Sequence, residues 1–249
     1  LLKKYAVLFL IFKEFADENK GRVEDILADT KKFETSIIKI CEKKYHEIRT
    51  KLRRAATRTI IYIFITKMAV ALALEVPFDF FFLGALNYTS LGVNILFHPL
   101  LMFVVVMSVR PPSEKNTALI VGNLKRLIYK NEDKTEYTIR VPAKRNAFSD
   151  TFFRLFYGFT FLLTFGLLVW GLHRLQFNPL SIFLFVTFLS IVSFFGMRIR
   201  KSASELVVTK KKEGFLSAIG DFFFVPIIRA GRWISFNFSR VNVFVFILD

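Results

Sequence analysis

The chain has 249 residues, of which 53% are hydrophobic and 16% aromatic, and it carries a formal net charge of +16. A soluble domain rarely combines such hydrophobicity with such charge, although the two properties coexist when they are separated along the chain. The single cysteine, Cys41, excludes an intramolecular disulfide and a cysteine-based metal site. The basic residues flank apolar blocks, so attraction to anionic lipids on the cytoplasmic side explains them, and we expect no nucleic-acid partner.

The positions of the basic residues predict a membrane topology. All but two of the 36 Lys and Arg residues fall in 1–58, 110–154 and 198–249, and the apolar blocks between those stretches contain only Lys67 and Arg174. Apolar runs of this length are typical of spanning helices, and an excess of Lys and Arg marks the cytoplasmic side. The sequence therefore predicts an all-α integral membrane protein with four transmembrane helices in two hairpins and both termini cytoplasmic, and we expect it in a bacterial inner membrane.

Five regions follow from this pattern. They are a cytoplasmic amphipathic helical region (1–58), a first transmembrane hairpin with an acidic, Pro-containing outer connector (59–109), a cytoplasmic loop (110–154), a second transmembrane hairpin (155–199), and a basic cytoplasmic linker with an interfacial tail (200–249).

The N-terminal region has apolar residues at alternating spacings of three and four: Ile38, Cys41, Tyr45, Ile48, Leu52 and Ala55. The spacing is typical of a short coiled-coil seam, or of an amphipathic helix that lies on its own protein or on lipid. No Pro or Gly interrupts 23–76, so we expect this helix to continue into the first span.

The cytoplasmic loop favours a helix followed by a β-hairpin. Ser113 can cap a helix whose apolar residues are Ala118, Val121, Leu124 and Ile128, and 131–141 combines a turn-like cluster with polar–apolar alternation.

In the second hairpin, the third span contains Gly158, Gly166 and Gly171, and the fourth contains Thr187, Ser190, Ser193 and Gly196. Because small residues allow helices to approach closely, we expect these two spans to pack together through them.

The C-terminal tail predicts an amphipathic segment at the membrane interface. An apolar helical face precedes Pro226, and Arg229, Arg232 and Trp233 follow; we expect these three and Trp170 to be interface anchors. Ile234–Val245 also alternates with period two, which suits a strand, and 241–249 suits the start of a fifth span.

Charged and polar residues within the first two spans form a candidate ion or proton site. A span over 59–76 places Lys67 at its centre, whereas a span over 66–86 places Glu75 and Asp79 inside the membrane. Pro77 would weaken the helix, so 78–82 suits a short re-entrant or interfacial piece. Asn94 and His98 lie four residues apart on one face of the second span. The alternative is that Lys67 extends to the inner headgroups and that Glu75 and Asp79 lie in outer water. Asn94 and His98 would then form hydrogen bonds between helices.

Two functions are compatible with the sequence. It lacks the familiar enzyme motifs, so we expect a protein that is not an enzyme, needs no cofactor and serves as a scaffold or subunit of a larger homo- or hetero-oligomeric membrane assembly. The alternative is an ion channel or transporter that uses Glu75, Asp79 and His98, in a symmetric oligomer with these residues near its axis. The layout of a basic helix, a span and an acidic Pro-containing connector resembles that of small oligomeric cation channels, a resemblance of layout that carries over no site residue.

Overall fold

The computed structural model of the protein describes residues 2–84, 86–109, 112–130, 147–208 and 215–240. Every regular element in these ranges is helical, and they contain no strand. The α-helices are α1 (Leu2–Glu18), α2 (Val23–Ala28), α3 (Thr30–Val70), α4 (Val76–Phe78), α5 (Tyr88–Met107), α6 (Glu114–Lys125), α7 (Ala147–Arg174), α8 (Pro179–Ala203) and α9 (Phe215–Arg240). The π-helical turns are Ala71–Glu75, Asp79–Leu83 and Arg126–Lys130.

Four helices are long and apolar enough to cross a membrane, judged by length and composition. They are Thr30–Leu83, Tyr88–Met107, Thr151–Arg174 and Pro179–Ala203. The prediction of a helical chain with four helices of sufficient length and apolarity to span a membrane is thus confirmed. The first candidate span is continuous with the helix that precedes it, as the uninterrupted sequence of 23–76 predicts.

The chain folds as two compact units. The first comprises Leu1–Arg54, Val109–Ala143 and Lys201–Lys212, and the second comprises Ala55–Ser108, Lys144–Arg200 and Glu213–Asp249.

The first unit has its own hydrophobic core, to which α1, α3 and α6 contribute. Phe15 of α1 and Phe33 of α3 are fully buried and meet edge to face, with ring centroids 5.2 Å apart. Ile37 and Cys41 of α3 are also fully buried, whereas Ile38, Tyr45 and Ile48 are only partly buried. The amphipathic helix therefore lies on its own protein, and its deepest face is Phe33, Ile37, Ile40 and Cys41 rather than the predicted seam, since Ala55 is exposed.

Ion pairs line the edge of this core. The Lys44 ammonium donates to Glu14 over 2.7 Å, and Lys43 donates to Glu18. The hydrogen bond from Lys44 holds the pKa of the Glu14 carboxyl below its ordinary value. These partly exposed pairs join α1 to α3, and pairs of this kind contribute only about 0–1 kcal/mol each.

Asn116 of α6 connects three parts of the first unit. Its side-chain amide nitrogen donates to the Tyr45 hydroxyl over 2.9 Å and to the Leu206 carbonyl over 2.8 Å, and its oxygen accepts from the Val208 backbone N–H over 2.8 Å. The side chain is buried away from water, so these three hydrogen bonds are what satisfies its polar atoms. Asn116 thereby fixes the segment that follows α8 against α3 and α6.

Replacing Asn116 by Leu is expected to destabilise the first unit by about 2 kcal/mol, because the buried partners of the amide lose their hydrogen bonds. Trypsin should then cleave faster after the exposed Lys201, and the unfolding midpoint in detergent should fall. Asn123→Leu is the matched control, since the Asn123 amide bonds to Leu119 of its own helix at an exposed position. Equal cleavage rates in the two variants would contradict the role of Asn116.

The predicted loop helix is present as α6, in which Val121 and Leu124 are buried. Ser113 occupies the N-cap position, but its side chain makes no capping bond; its backbone carbonyl instead accepts from the N–H groups of Asn116 and Thr117. The β-hairpin predicted at 131–141 lies outside the described residues.

In the second unit, large apolar side chains of α7, α8 and the connector between them pack together: Leu172 of α7, Phe177 of the connector, and Phe185 and Leu189 of α8. The prediction that glycines bring these two helices together is wrong: Gly158, Gly166 and Gly171 have open space around them among the described residues. The small residues of α8 contact other helices. A Cβ on Gly196 would lie 2.9 Å from the Val105 side chain of α5, and a Cβ on Gly231 of α9 would overlap the Ser190 carbonyl.

The tail is one helix, α9, which continues through Pro226 to Arg240. A strand over Ile234–Val245 is therefore wrong for 234–240, while 241–249 lies outside the described residues. Ile227 and Gly231 are buried one turn apart, whereas Trp233 and Phe236 are exposed. Packing on α7 and α8 gives α9 this helical period of burial. Tertiary contact therefore overrides the strand-like alternation of apolar and polar residues after Ile234.

The helix of the first candidate span also passes through its proline. A π-helical turn precedes α4, which contains Pro77, and a second π-helical turn continues to Leu83. Local π turns accommodate the carbonyl that a proline leaves without a donor. Residues 78–82 thus belong to this continuous helix and do not form a separate piece after a break at Pro77. The helix ends where Gly84 adopts a left-handed conformation, with φ of 70°.

Candidate functional site

An ion pair between Lys67 and Glu75 lies in the interior of the second unit. The Lys67 ammonium donates to Glu75 Oε1 over 3.1 Å, and the two side chains are 0% and 1% exposed. The ammonium also lies 4.6 Å from the centroid of the Phe188 ring. Lys67 therefore does not extend outward, and the alternative that placed Lys67 at the headgroups and Glu75 in water is wrong.

The first π-helical turn brings these two charges to one face. They are eight residues apart, and in a regular α-helix such residues point about 80° apart around the axis. A π turn places one additional residue in the turn, which reduces the offset to about 20°. Since Ala71–Glu75 is that turn, the backbone irregularity is what makes the ion pair possible.

The second carboxylate oxygen of Glu75 connects three helical elements. Glu75 Oε2 accepts from Asn94 Nδ2 of α5 over 2.6 Å and from Ser181 Oγ of α8 over 3.3 Å. Asn94 Nδ2 also lies 3.5 Å from the Ser181 carbonyl oxygen. Asn94 Oδ1 is buried and has no hydrogen-bond partner among the described residues.

Asp79 joins the same network through Asn178. Asn178 Nδ2 donates to Asp79 Oδ1 over 2.5 Å, and Asn178 Oδ1 accepts from the Ser181 N–H over 2.6 Å. The second of these bonds caps the N-terminus of α8. Asp79 is buried as well, so a continuous line of hydrogen bonds connects Lys67, Glu75, Ser181, Asn178 and Asp79.

His98 lies one turn after Asn94 on α5 and is fully buried. Its Nδ1 is 3.1 Å from the Asn94 carbonyl oxygen and its Nε2 is 3.0 Å from the Phe185 carbonyl oxygen. A neutral imidazole has one N–H and can donate to only one carbonyl, whereas an imidazolium donates to both. The ring also contacts Phe188, the side chain that lies under the Lys67 ammonium.

The five residues predicted to form a site thus lie together in one buried network. Sequence reasoning missed Asn178, Ser181 and Phe188. Asn178 carried a recognisable signal, because Asn before Pro179 with Ser three residues later is typical of a helix N-terminus. Phe185 and Phe188 carried no such signal, because a Phe that contacts the site has the same residue type as the other apolar residues of the helix.

The predicted interface anchors lie away from this network. Trp170 is exposed and the Arg174 guanidinium lies 5.4 Å from its ring centroid, while the Arg229 guanidinium lies 4.4 Å from the Tyr157 ring centroid. Arg232 and Trp233 are exposed on α9.

The network can hold a proton or a small cation. It contains two carboxylates, an ammonium and an imidazole, and ionisable groups buried within spanning helices commonly mark proton relays and ion paths. Within the described part of the chain, no group of three or more His, Cys, Asp and Glu residues could hold a metal ion.

No family model matches the chain, and no curated protein or solved structure is significantly similar to it.

Proposed function

We propose that this chain is a multi-pass membrane protein that moves protons or small cations across the bilayer, with the Lys67–Glu75 pair at its ion-handling site. The observation that carries the proposal is the buried hydrogen-bonded network from Lys67 to Asp79 within helices that are long and apolar enough to span a membrane. A charged side chain in the middle of a span costs about 2.5–3.5 kcal/mol even by insertion measurements, so several such groups together require an explanation.

The proposed site lies within one chain rather than on an axis between chains. Lys67, Glu75 and His98 are covered by the helices of their own unit, so they present no surface from which neighbouring chains could form a pore. The site chemistry therefore does not depend on symmetry, unlike the axial arrangement expected from sequence.

Flux through purified protein in liposomes tests the proposal. Wild-type protein should dissipate a proton, Na⁺ or K⁺ gradient, and the double variant Lys67→Met, Glu75→Gln should lose at least about tenfold in rate, because no ionisable group remains at the pair. The matched control is Lys44→Met, Glu14→Gln, which removes a similar pair from the first unit and should keep wild-type flux. Asp79→Asn should also reduce flux. The proposal fails if wild-type protein conducts none of these ions or if the Lys67 and Glu75 double variant conducts normally.

We also propose that the four spans leave both chain ends on the cytoplasmic side. The supporting observation is the distribution of Lys and Arg, which is dense in 1–58, 110–154 and 198–249 and sparse between the paired spans. A cysteine introduced at exposed His173 should react with a membrane-impermeant maleimide added to intact cells, and one at exposed Lys32 should react only after lysis. Native Cys41 is buried and gives little background. The reverse labelling pattern would refute the orientation.

A scaffold or assembly subunit is the second candidate, and the first unit favours it. An open groove of about 560 Å³ lies between α3 and α6. Its lining includes Glu42, Glu114 and the Glu34–Lys125 ion pair, so carboxylates outnumber cations there in a chain of net charge +16. Such a groove suits a cationic partner segment. Native mass spectrometry of the detergent-extracted protein separates the candidates: stoichiometric unlike subunits together with absent flux would favour the scaffold.

A further inference from the structure

We infer that α7 and α9 form a binding site for the phosphate group of an anionic phospholipid, in which Arg154 and Arg229 donate to the phosphate oxygens. The site lies at the lipid-facing edge of the second unit and is separate from the buried Lys67–Glu75 pair. The inference is independent of ion movement, so flux measurements neither support nor overturn it.

α9 crosses α7 instead of running beside it. Phe222 packs on Phe156 with ring centroids 5.9 Å apart, and seven residues later the Arg229 guanidinium lies 4.4 Å from the Tyr157 ring centroid. Seven residues extend over about 10 Å of α9, whereas Phe156 and Tyr157 are neighbours on α7. Both contacts of α9 therefore meet α7 at one level, near the start of the candidate span at Thr151.

The Arg229 side chain extends toward the end of the spanning helices. Gly231, two residues further on α9, lies against Ser190, which is near the middle of α8. The Arg229 guanidinium, in contrast, reaches Tyr157, which is six residues, or about 9 Å, from Thr151. An Arg whose backbone lies at membrane depth commonly extends in this way, with its apolar stem along the protein and its charge toward the headgroups.

Two guanidiniums from different helices are placed on either side of Tyr157. Arg154 lies three residues before Tyr157, and residues at this spacing share a face of a helix. Both Arg154 and Arg229 are exposed. The Tyr157 ring positions the Arg229 guanidinium without supplying a negative charge. Guanidiniums present N–H donors in a planar fork that matches two oxygens of a phosphate group.

α7 and α9 carry an excess of positive charge around this site. Together they have five Arg and two acids, Asp150 and Asp221. The sequence has no Asp or Glu in 151–204 or in 222–248, and the acids of the first span, Glu75 and Asp79, are held in the buried network. Negative charge from outside the chain therefore neutralises the surplus, and anionic lipids supply that charge at a membrane surface.

The residues around the two guanidiniums suit the rest of a lipid molecule. Phe152 and Phe156 of α7 and Phe224 and Trp233 of α9 are exposed large hydrophobic side chains. Acyl chains below a bound phosphate would cover them, whereas a free phosphate ion would leave them uncovered. The combination of paired cations and adjacent apolar surface therefore fits a phospholipid.

Quenching of Trp233 fluorescence by brominated lipids tests the inference. Trp233 lies one turn after Arg229, and the chain has one other tryptophan, so Trp170→Phe makes Trp233 the single reporter. The protein is placed in phosphatidylcholine nanodiscs with increasing fractions of phosphatidylglycerol, and one lipid or the other carries bromine on its acyl chains. We expect phosphatidylglycerol to occupy the position beside Trp233 at least about tenfold more favourably than phosphatidylcholine.

The double variant Arg154→Gln, Arg229→Gln in the same background should lose this preference, because neither phosphate donor remains. The control Arg198→Gln, Arg200→Gln removes the same number of positive charges from the end of α8 and should keep the preference within about twofold. If the first double variant does not fold, native mass spectrometry of wild-type protein decides, since it should retain phosphatidylglycerol in preference to phosphatidylcholine.

Inorganic phosphate distinguishes a bound lipid from a bound free anion, because it has the same acceptor oxygens but no acyl chains. An excess of inorganic phosphate should leave the quenching by brominated phosphatidylglycerol unchanged. Equal quenching by the two lipids, an equal loss of preference in both double variants, or displacement of the lipid by inorganic phosphate would each overturn the inference.

Discussion

Glu75→Gln alone is expected to destabilise the protein by about 3–5 kcal/mol, because it leaves the Lys67 ammonium buried without a counter-charge. Lys67→Met alone should cost a similar amount, since it leaves the carboxylate unpaired. The double variant Lys67→Met, Glu75→Gln should lie within about 1 kcal/mol of wild type, because neutral groups of similar size then fill the site and the introduced glutamine can still accept from Asn94. Replacing a complete buried ion pair is commonly neutral or stabilising, whereas breaking one is not.

Unfolding in increasing sodium dodecyl sulfate, followed by circular dichroism, measures the three free energies of a double-mutant cycle. The Lys44 and Glu14 pair of the first unit provides the reference cycle. Its side chains are 21% and 30% exposed, so its coupling should be below about 1 kcal/mol. If the losses in unfolding free energy of Lys67→Met and Glu75→Gln simply add in the double variant, the two charges are not coupled.

Gly231→Leu is expected to detach α9 from α8 and to lower the free energy of unfolding by about 3 kcal/mol. A side chain at Gly231 would overlap the backbone carbonyl of Ser190, and a backbone atom cannot rotate away as a flexible side chain could. The helix must therefore shift, which also exposes the buried Ile227. Overpacking costs typically reach about 1–3 kcal/mol, and contact with backbone puts this position at the upper end.

Thermal unfolding in detergent and limited trypsin digestion at Arg229 and Arg232 report the change. Gly166→Leu is the control, because Gly166 of α7 faces open space and should tolerate the side chain. If trypsin digests the Gly231→Leu protein at the same rate as the wild-type protein, close contact between α8 and α9 is contradicted.

The coarse fold could be predicted from the sequence because it depends on composition summed over long segments. Four apolar stretches of about 20 residues and the basic residues between them are statements about many side chains at once, so single errors do not matter. The extent of individual helices was less predictable. Alternation of apolar residues after Ile234 resembles a strand, and only contact with α7 and α8 decides that Ile227 and Gly231 share a buried helical face.

The candidate site could be predicted as a set of residues but not as a geometry. Lys67, Glu75 and Asp79 are conspicuous because they are charged residues in apolar surroundings. Their pairing was not predictable, since a regular helix would point Lys67 and Glu75 about 80° apart. Pro77 suggested a break in the helix, whereas the structure has π turns on both sides of it. The contacts from Asn178 and Ser181 depend on where α8 packs, which no local pattern encodes.

The position of both charges on one continuous helix affects how the protein can enter a bilayer. Lys67 and Glu75 need no other span in order to meet, because the π turn between them belongs to the same helix. Each charge alone would add about 2.5–3.5 kcal/mol to insertion, but a pair that forms within the segment can enter as a neutral unit. The Lys67–Glu75 pair therefore needs neither α5 nor α8 to form, whereas Asp79 of the same helix is bonded by Asn178, the residue that precedes α8.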